Sequence, residues 1–144
     1  SFATLLGIAM RGNVASIVAI GDSIVVDVPP AGGIRTFPYS LAEEFDRRPQ
    51  LLSTQIIANM TVFDRTKVRT LVTRWALVPG TSLLLMTDAL GQWLLRRKPE
   101  ASSCDDLMAL RTQDEFETFV MTERTAGGIR RDDTSLVHLR AEEL

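Results

Sequence analysis

The chain has little of several residue types on which many folds and active sites depend. Among its 144 residues there is one cysteine, Cys104, and one histidine, His138. A single cysteine excludes an internal disulfide, and it suits a reducing compartment, so we expect a cytoplasmic protein. No apolar run approaches the roughly 18 residues that a membrane-spanning helix needs, so we expect no membrane partner.

Charge of one sign is also scarce. The formal net charge is -2, which gives no broad electrostatic reason to expect a nucleic-acid partner. Apolar residues make up 45% of the chain and charged residues 24%, as in an ordinary globular protein. We expect a single domain over residues 1–144. Because the chain starts without Met and directly in strand-like sequence, we also expect it to be a piece of something longer.

Apolar runs separated by turn signals open the chain and predict an antiparallel meander of strands. These runs cover residues 2–10, 14–20, 24–28 and 34–37, and further strands are predicted over 68–77, 82–87 and 135–140. The runs are nearly continuously hydrophobic, so we expect both faces of the sheet to be covered. Ser40 is a candidate cap for a helical turn at 41–45, and residues 53–66 show no clear periodicity.

Three helices are predicted in the second half of the chain. The first begins at Asp88 and has one apolar stripe, and the second covers about residues 104–110. Thr112 and Glu115 form a capping box for the third, which Gly127 ends. Strands, then helices, then a returning strand indicate an α+β fold, and we expect an antiparallel β-sandwich flanked by helices.

Three aspartates that follow or precede apolar runs are the strongest chemical signal. They are Asp22 in Gly-Asp-Ser, Asp88 in Thr-Asp-Ala and Asp132 in Asp-Asp-Thr. Each has an ordinary structural explanation: a turn former, a helix cap and a solvated loop charge, respectively. Carboxylates that strand ends bring to one rim of a sheet are also the ligands that hard divalent cations require.

Other notable side chains are expected to have structural roles. Trp75 and Trp93 lie in apolar patterns that predict core packing, and nothing places His138 beside the aspartates. Arg130 and Arg131 precede Asp132, where a charged loop is the simpler interpretation and guidance of a phosphate group the alternative.

The order and surroundings of the three signatures resemble those of metal-dependent serine/threonine protein phosphatases of type 2C, in a bacterial branch. The resemblance lies in Gly-Asp-Ser at 21–23, in Leu-Leu-Leu-Met-Thr-Asp-Ala-Leu at 83–90 and in Arg-Asp-Asp-Thr-Ser-Leu-Val at 131–137. It covers nearly the whole chain, as the carboxy-terminal portion of that domain.

The resemblance implies a metal site and an activity. Asp88 and Asp132 would bind metal, and Asp22 would bind an additional, weaker ion, for a total of two or three Mg²⁺ or Mn²⁺ ions. A metal-bound hydroxide would hydrolyse phosphoserine and phosphothreonine on proteins, with no covalent catalytic residue. The implied partners are a phosphoprotein substrate and either a partner kinase or the missing amino-terminal segment.

The chain departs from the pattern of that family at several positions. No Asp-Gly pair, which carries the amino-terminal metal motif, occurs in the sequence. Ala89 replaces the common glycine and Asp133 the common asparagine, which leaves the presumed ligands intact. Two alternatives therefore stay open: a catalytically inactive phosphatase-like regulatory or interaction module, and a domain for another metal-dependent phosphoester hydrolysis.

Overall fold

Antiparallel sheets and helices make up the computed structural model, which describes residues 1–60, 62–97 and 101–142. The strands are β1 Phe2–Ala3, β2 Leu5–Arg11, β3 Val14–Ile20, β4 Ile24–Val28, β5 Arg35–Phe37, β6 Leu52–Ser53, β7 Val72–Ala76, β8 Ser82–Met86 and β9 Leu136–Arg140. The helices are α1 Arg65–Val68, α2 Asp88–Arg96, α3 Ala101–Met108 and α4 Gln113–Thr125. The predicted α+β class is confirmed. None of the helices described is both long and apolar enough to cross a lipid bilayer.

A four-stranded sheet in the order β5-β4-β8-β9 forms the middle layer. Its central strands are buried on both faces, because successive side chains point in opposite directions. On one face Ile24 and Leu84 pack with Leu90 and Leu94 of α2. This face therefore carries the helical layer, as the apolar stripe of α2 predicts.

The opposite face packs against a three-stranded sheet in the order β2-β3-β7. Val25 and Leu83 of the four-stranded sheet meet Ile17 and Trp75 there in a second apolar cluster. The two stacked sheets confirm the predicted sandwich, and the predicted core position of Trp75 is confirmed with it.

The sequence predicts that the strands of the opening meander lie in one sheet. In the structure they are divided between two sheets. β3 pairs with β2 and β7, whereas β4 pairs with β5 and β8, so the chain changes sheets between them. Gly21 makes this change at φ 112°, where a Cβ atom would come within 2.5 Å of Thr4 Cγ2. Val18, on the outer face of β3, is only half-buried. The prediction that both faces of the sheet are covered is thus confirmed for β4 and β8 and wrong for β3.

The predicted strand over 68–77 is wrong in its first half. α1 and a 3₁₀ helix at Arg69–Leu71 precede β7. The cause is Asp64, whose carboxylate accepts the backbone N–H of Thr66 at 2.8 Å and its hydroxyl at 2.6 Å. This side-chain cap begins a helix where the apolar pattern alone favoured extended chain. Thr61, within the stretch that has no predicted periodicity, lies outside the described residues.

Two other helix predictions need correction, and one is confirmed. Ser40 does not cap the 3₁₀ helix Ala42–Asp46; instead the Glu44 carboxylate accepts the backbone N–H of Ser40 at 2.8 Å. The helix predicted over about 104–110 begins and ends earlier, as α3. The capping box of α4 is present, with the Thr112 hydroxyl accepting from Glu115 N–H at 3.2 Å.

Candidate functional site

One end of the four-stranded sheet gathers all three of the acidic segments found in the sequence. Ile24, the first residue of β4, pairs with Met86, the last of β8, which pairs with Leu136, the first of β9. Asp22 therefore lies just before this end, Asp88 just after it, and Asp132 in the loop that leads into β9. We refer to this end, with Asp22, Asp88 and Asp132, as the acidic edge.

Hydrogen bonds fasten the loop before β9 to the start of α2. The backbone N–H of Thr87 donates to the Ser135 carbonyl at 3.2 Å, and the N–H of Ser135 donates to the Thr87 hydroxyl oxygen at 3.0 Å. The Thr87 hydroxyl in turn donates to the Asp133 carbonyl at 3.3 Å. These bonds fix the segment that carries Asp132 relative to the segment that carries Asp88.

Asp88 combines a structural and an electrostatic role. Its Oδ1 atom accepts the backbone N–H of Ala89 at 2.8 Å, which satisfies one free donor at the start of α2. Its Oδ2 atom pairs with Nη2 of Arg130. The side chain is 17% exposed, so this carboxylate is largely withdrawn from water.

Arg130 brings the second carboxylate into the same site. The Nη2 atom that pairs with Asp88 also lies 3.8 Å from Oδ2 of Asp132. The side chain of Arg130 is 40% exposed and that of Asp132 is 53% exposed. Sequence analysis placed Arg130 in a charged loop and missed this pairing, which only the contact between the loop and α2 creates.

The backbone of Asp132 is fixed by a residue that the sequence did not single out. Arg124 of α4 donates through Nη2 to the Asp132 carbonyl, and also to the Thr134 hydroxyl at 3.1 Å. The Asp132 Oδ1 atom accepts the N–H of Asp133 at 2.8 Å. A conceivable signal for Arg124 was its place in the last turn of α4, eight residues before Asp132.

Asp22 belongs to the acidic edge but is not part of the Arg130 contacts. Burial raises the pKa of Tyr39, and the negative charge of Asp22 raises it further. In the part of the chain that the structure describes, no group of three or more His, Cys, Asp or Glu side chains is arranged to hold a metal ion. The structure thus brings Asp88 and Asp132 together through Arg130, and Asp22 lies at the same end of the sheet without taking part in these contacts.

The carboxylate oxygens of Asp88 and Asp132 are atoms of the kind that a divalent cation binds. Asp88 and Asp132 present hard oxygen atoms to one positively charged nitrogen, which stands in for a cation between them. Mg²⁺ and Mn²⁺ take about six oxygen ligands, of which proteins often supply only part and water the rest. The two carboxylates fit such an ion as part of its ligand set.

A groove of about 750 Å³ adjoins Asp132. One wall is α4, with Phe116, Val120 and Arg124, and the other is the loop with Asp132 and Thr134. Apolar side chains of α4 and charged side chains from both walls line this groove, so its surface is of mixed polarity.

The other reactive groups of the chain lie away from the acidic edge. Cys104 is fully buried in the helical layer, and burial, followed by the charge of Asp105, raises the pKa of its thiol to about 11. It therefore stays protonated at neutral pH and is no nucleophile. His138 Nε2 lies 2.8 Å from the hydroxyl oxygen of Ser82, at the opposite end of β8. Its predicted structural role agrees with this position.

Comparison with known proteins gives a consistent picture of the fold. No protein-family model and no curated protein matches the chain. Solved structures do match. They include the Mycobacterium tuberculosis serine/threonine phosphatase PstP/Ppp (16% identity, 97% of this chain, TM-score 0.56), PppA, a key regulatory component of T6SS in Pseudomonas aeruginosa (20%, 96%, 0.49), and the phosphatase domain of the cell fate determinant SpoIIE from Bacillus subtilis (17%, 99%, 0.49).

The chain spans between 56% and 60% of the length of these three structures. The mycobacterial phosphatase, with a TM-score above 0.5, supports the conclusion about the fold. Over the part that it spans, the chain has a type-2C phosphatase-like fold, as the sequence motifs indicated. At this level of identity the likeness concerns the fold alone.

Proposed function

We propose that residues 1–144 form one domain, the later part of a metal-dependent phosphatase of type 2C that hydrolyses phosphoserine and phosphothreonine on proteins. One observation carries the proposal: Asp88 and Asp132, distant in sequence, face the same cationic nitrogen at the acidic edge. An arrangement that already accommodates one positive group between two carboxylates suits a divalent cation.

In this proposal Asp88 and Asp132 hold Mg²⁺ or Mn²⁺, and Asp22 contributes to a further, weaker ion. When bound, such ions supply an activated water at neutral pH and neutralise charge on a phosphoryl group. Further ligands come from water and from the amino-terminal metal motif, which another segment or chain would supply. The proposed reaction fits a cytoplasmic protein with a kinase as its counterpart.

The remaining residues of the edge keep the two carboxylates in place. The hydrogen bonds between Thr87 and Ser135 fix the spacing of the two segments, and Arg124 holds the backbone of Asp132 from α4. Ligands held in advance lose little freedom when an ion binds, which favours binding. In this proposal Thr87, Ser135 and Arg124 position the two carboxylates and do not take part in the reaction.

A phosphorylated protein segment is the proposed substrate. The groove between α4 and the loop of Asp132 leads to the acidic edge, and Arg124 and Arg131 are among its lining residues. An extended peptide in this groove would bring its phosphate group to the end where Asp132 lies. Guanidinium groups beside the path suit the negative charge of such a segment.

Two observations favour a second candidate, a regulatory or interaction module that keeps the fold without the chemistry. Arg130 already neutralises Asp88, and the described residues contain no cluster of three potential metal ligands. A module of this kind would bind a partner through the same groove and have no need of an ion.

Substitution of the two aspartates distinguishes these candidates. In the full-length protein, Asp88→Asn and Asp132→Asn should each lower Mn²⁺-dependent hydrolysis of a phosphothreonine peptide by about 100-fold or more. This exceeds the roughly 10- to 100-fold typical of residues that only support metal ligands. Release of inorganic phosphate is the measurement.

Asp133→Asn is the matched control, because it removes the same charge one residue from Asp132 and touches neither Asp88 nor Arg130. We expect it to keep activity within about threefold of the parent, as exposed single charges have small effects. Full activity of Asp88→Asn would contradict the proposal. No activity in the parent protein, with the peptide still bound, would favour the regulatory module.

A further inference from the structure

The contacts of Arg130 account for the atoms of Asp88 that a metal ion would need. Asp88 Oδ1 accepts the N–H of Ala89, and Oδ2 is the oxygen atom that faces the loop of Arg130. Arg130 Nη2 pairs with this same Oδ2 and lies 3.8 Å from Oδ2 of Asp132. An ion held by Asp88 and Asp132 would have to displace the guanidinium group from these carboxylates.

The backbone holds Arg130 at this position. Ile129, directly before it, is 2% exposed and belongs to the core beneath α2. The N–H of Gly128 donates to the Glu123 carbonyl at 2.8 Å, which joins the same loop to the end of α4. The backbone at Arg130 is therefore held in place, and its side chain is the part that can move.

The side chain itself is held more loosely. It is 40% exposed, and its partner Asp132 is 53% exposed, so water competes for the guanidinium group. Ion pairs at such partly exposed positions are weak, since solvent screens them and the long side chain loses rotational freedom. Turning Arg130 out into solvent is therefore an accessible change.

We propose that Arg130 is a built-in competitor for the divalent cation, so that the bound ion and the Arg130–Asp88 pair exclude each other. This inference rests on the metal site of the proposed function and adds the residue that sets its affinity. Two positive groups cannot share one pair of carboxylates without strong repulsion, because a dication beside a guanidinium group interacts unfavourably even in water. Arg130 thus makes the site responsive to the concentration of free metal.

The test is metal affinity, measured without any substrate. Mn²⁺ is titrated into the full-length parent protein, Arg130→Gln and Arg131→Gln, and free Mn²⁺ is followed by its electron paramagnetic resonance signal. Arg131 is the matched control, because it is exposed and adjacent, and its substitution removes the same charge from the loop. We expect Arg130→Gln to bind Mn²⁺ about tenfold more tightly than the parent, and more tightly than Arg131→Gln.

The possible outcomes separate this inference from the proposed function. Equal affinities of the parent and Arg130→Gln, with binding lost in Asp88→Asn, would overturn the competition but leave the metal site intact. Equal tightening in both arginine variants would also overturn it, because general charge would then be the cause. If no variant binds Mn²⁺, the metal site and the competition both fail.

A second variant protects the test against misfolding. Arg130→Lys keeps a positive charge but replaces the planar guanidinium group with a compact ammonium group. We expect its Mn²⁺ affinity to lie between those of the parent and Arg130→Gln. An affinity of Arg130→Lys above that of a folded Arg130→Gln would contradict the competition, as would an affinity below that of the parent.

Discussion

Two aspartate–arginine ion pairs in this molecule contain the same chemical groups but have different surroundings. Asp27 pairs with Arg35 between the two sheets, and Asp88 pairs with Arg130 at the acidic edge. The side chain of Asp27 is 5% exposed, whereas that of Asp88 is 17% exposed and has Asp132 close to its partner. The first pair joins a buried acid to an arginine that is 43% exposed, and the second is one arginine shared by two acids.

The surroundings of Arg35 explain why its pair is structural. Its Nη2 atom donates to the carbonyl of Ala76 on β7 at 2.9 Å, and its guanidinium carbon lies 4.8 Å from the ring centroid of Trp75. Arg35 thus joins β5 of one sheet to β7 of the other. Asp27 in turn depends on Arg35, because its Oδ1 atom is buried and has no hydrogen-bond partner among the described residues.

The two pairs differ in the number of carboxylates that surround the arginine. An acid–arginine pair whose carboxylate is buried and whose arginine contacts both sheets is a contact of the fold. A pair at a sheet end with a surplus carboxylate leaves negative charge that a stronger cation can use. The surplus acid, and not the ion pair, distinguishes the acidic edge.

The largest expected difference between the pairs is in stability. Arg35→Ala would leave the Asp27 carboxylate buried without its counter-charge, so the free energy of unfolding should fall by about 3 kcal/mol. Urea denaturation followed by circular dichroism is the measurement.

Arg130→Ala is the comparison variant for this experiment. Without metal it should lower the free energy of unfolding by less than about 1 kcal/mol, since its pair is partly exposed to water. Equal losses in the two variants would show that the pairs do not differ as described.

The smallest expected effect concerns a third polar contact, between His138 and Ser82. Burial, with the nearby charges of Arg140 and Arg111, lowers the pKa of His138 in the folded chain. The fold thus favours the neutral ring, and this contribution is present above the unfolded pKa of about 6.5 and lost as the pH falls through the lower folded value. Because the ring is only partly buried and solvent screens the nearby charges, we expect less than about 0.5 kcal/mol.

His138→Gln should remove this part of the pH dependence below about pH 6.5, measured by urea denaturation at each pH. The two ion pairs stay intact in this variant, so any slope that remains belongs to other groups. A steeper slope in His138→Gln than in the parent would contradict the direction of the shift.

Local sequence signals predicted the elements on which the site is built. Apolar runs and turn signals defined β3 and β4, and the strand-to-helix step at Asp88 gave the start of α2. The capping box at Thr112 and Glu115 is local too, because its partners are three residues apart. These elements form as predicted because their signals lie within each segment and do not depend on tertiary contacts.

Contacts between distant segments could not be predicted in the same way. Asp27 lies in an apolar run, and only the stacking of the two sheets brings the carbonyl of Ala76 within reach of its partner. The sequence pattern predicted a charged loop around Arg130, and only the packing of this loop against α2 brings Arg130 to Asp88. For the same reason, the close approach of Gly21 to Thr4, seventeen positions earlier, could not be predicted from the sequence.

The most direct test of the account is to locate a manganese ion in crystals of the full-length protein grown with Mn²⁺, using its anomalous scattering. The account predicts a peak within about 2.5 Å of a carboxylate oxygen of both Asp88 and Asp132, with Arg130 turned away from Asp88. Crystals at saturating Mn²⁺ in which Arg130 still pairs with Asp88 and no peak lies between the two aspartates would contradict it.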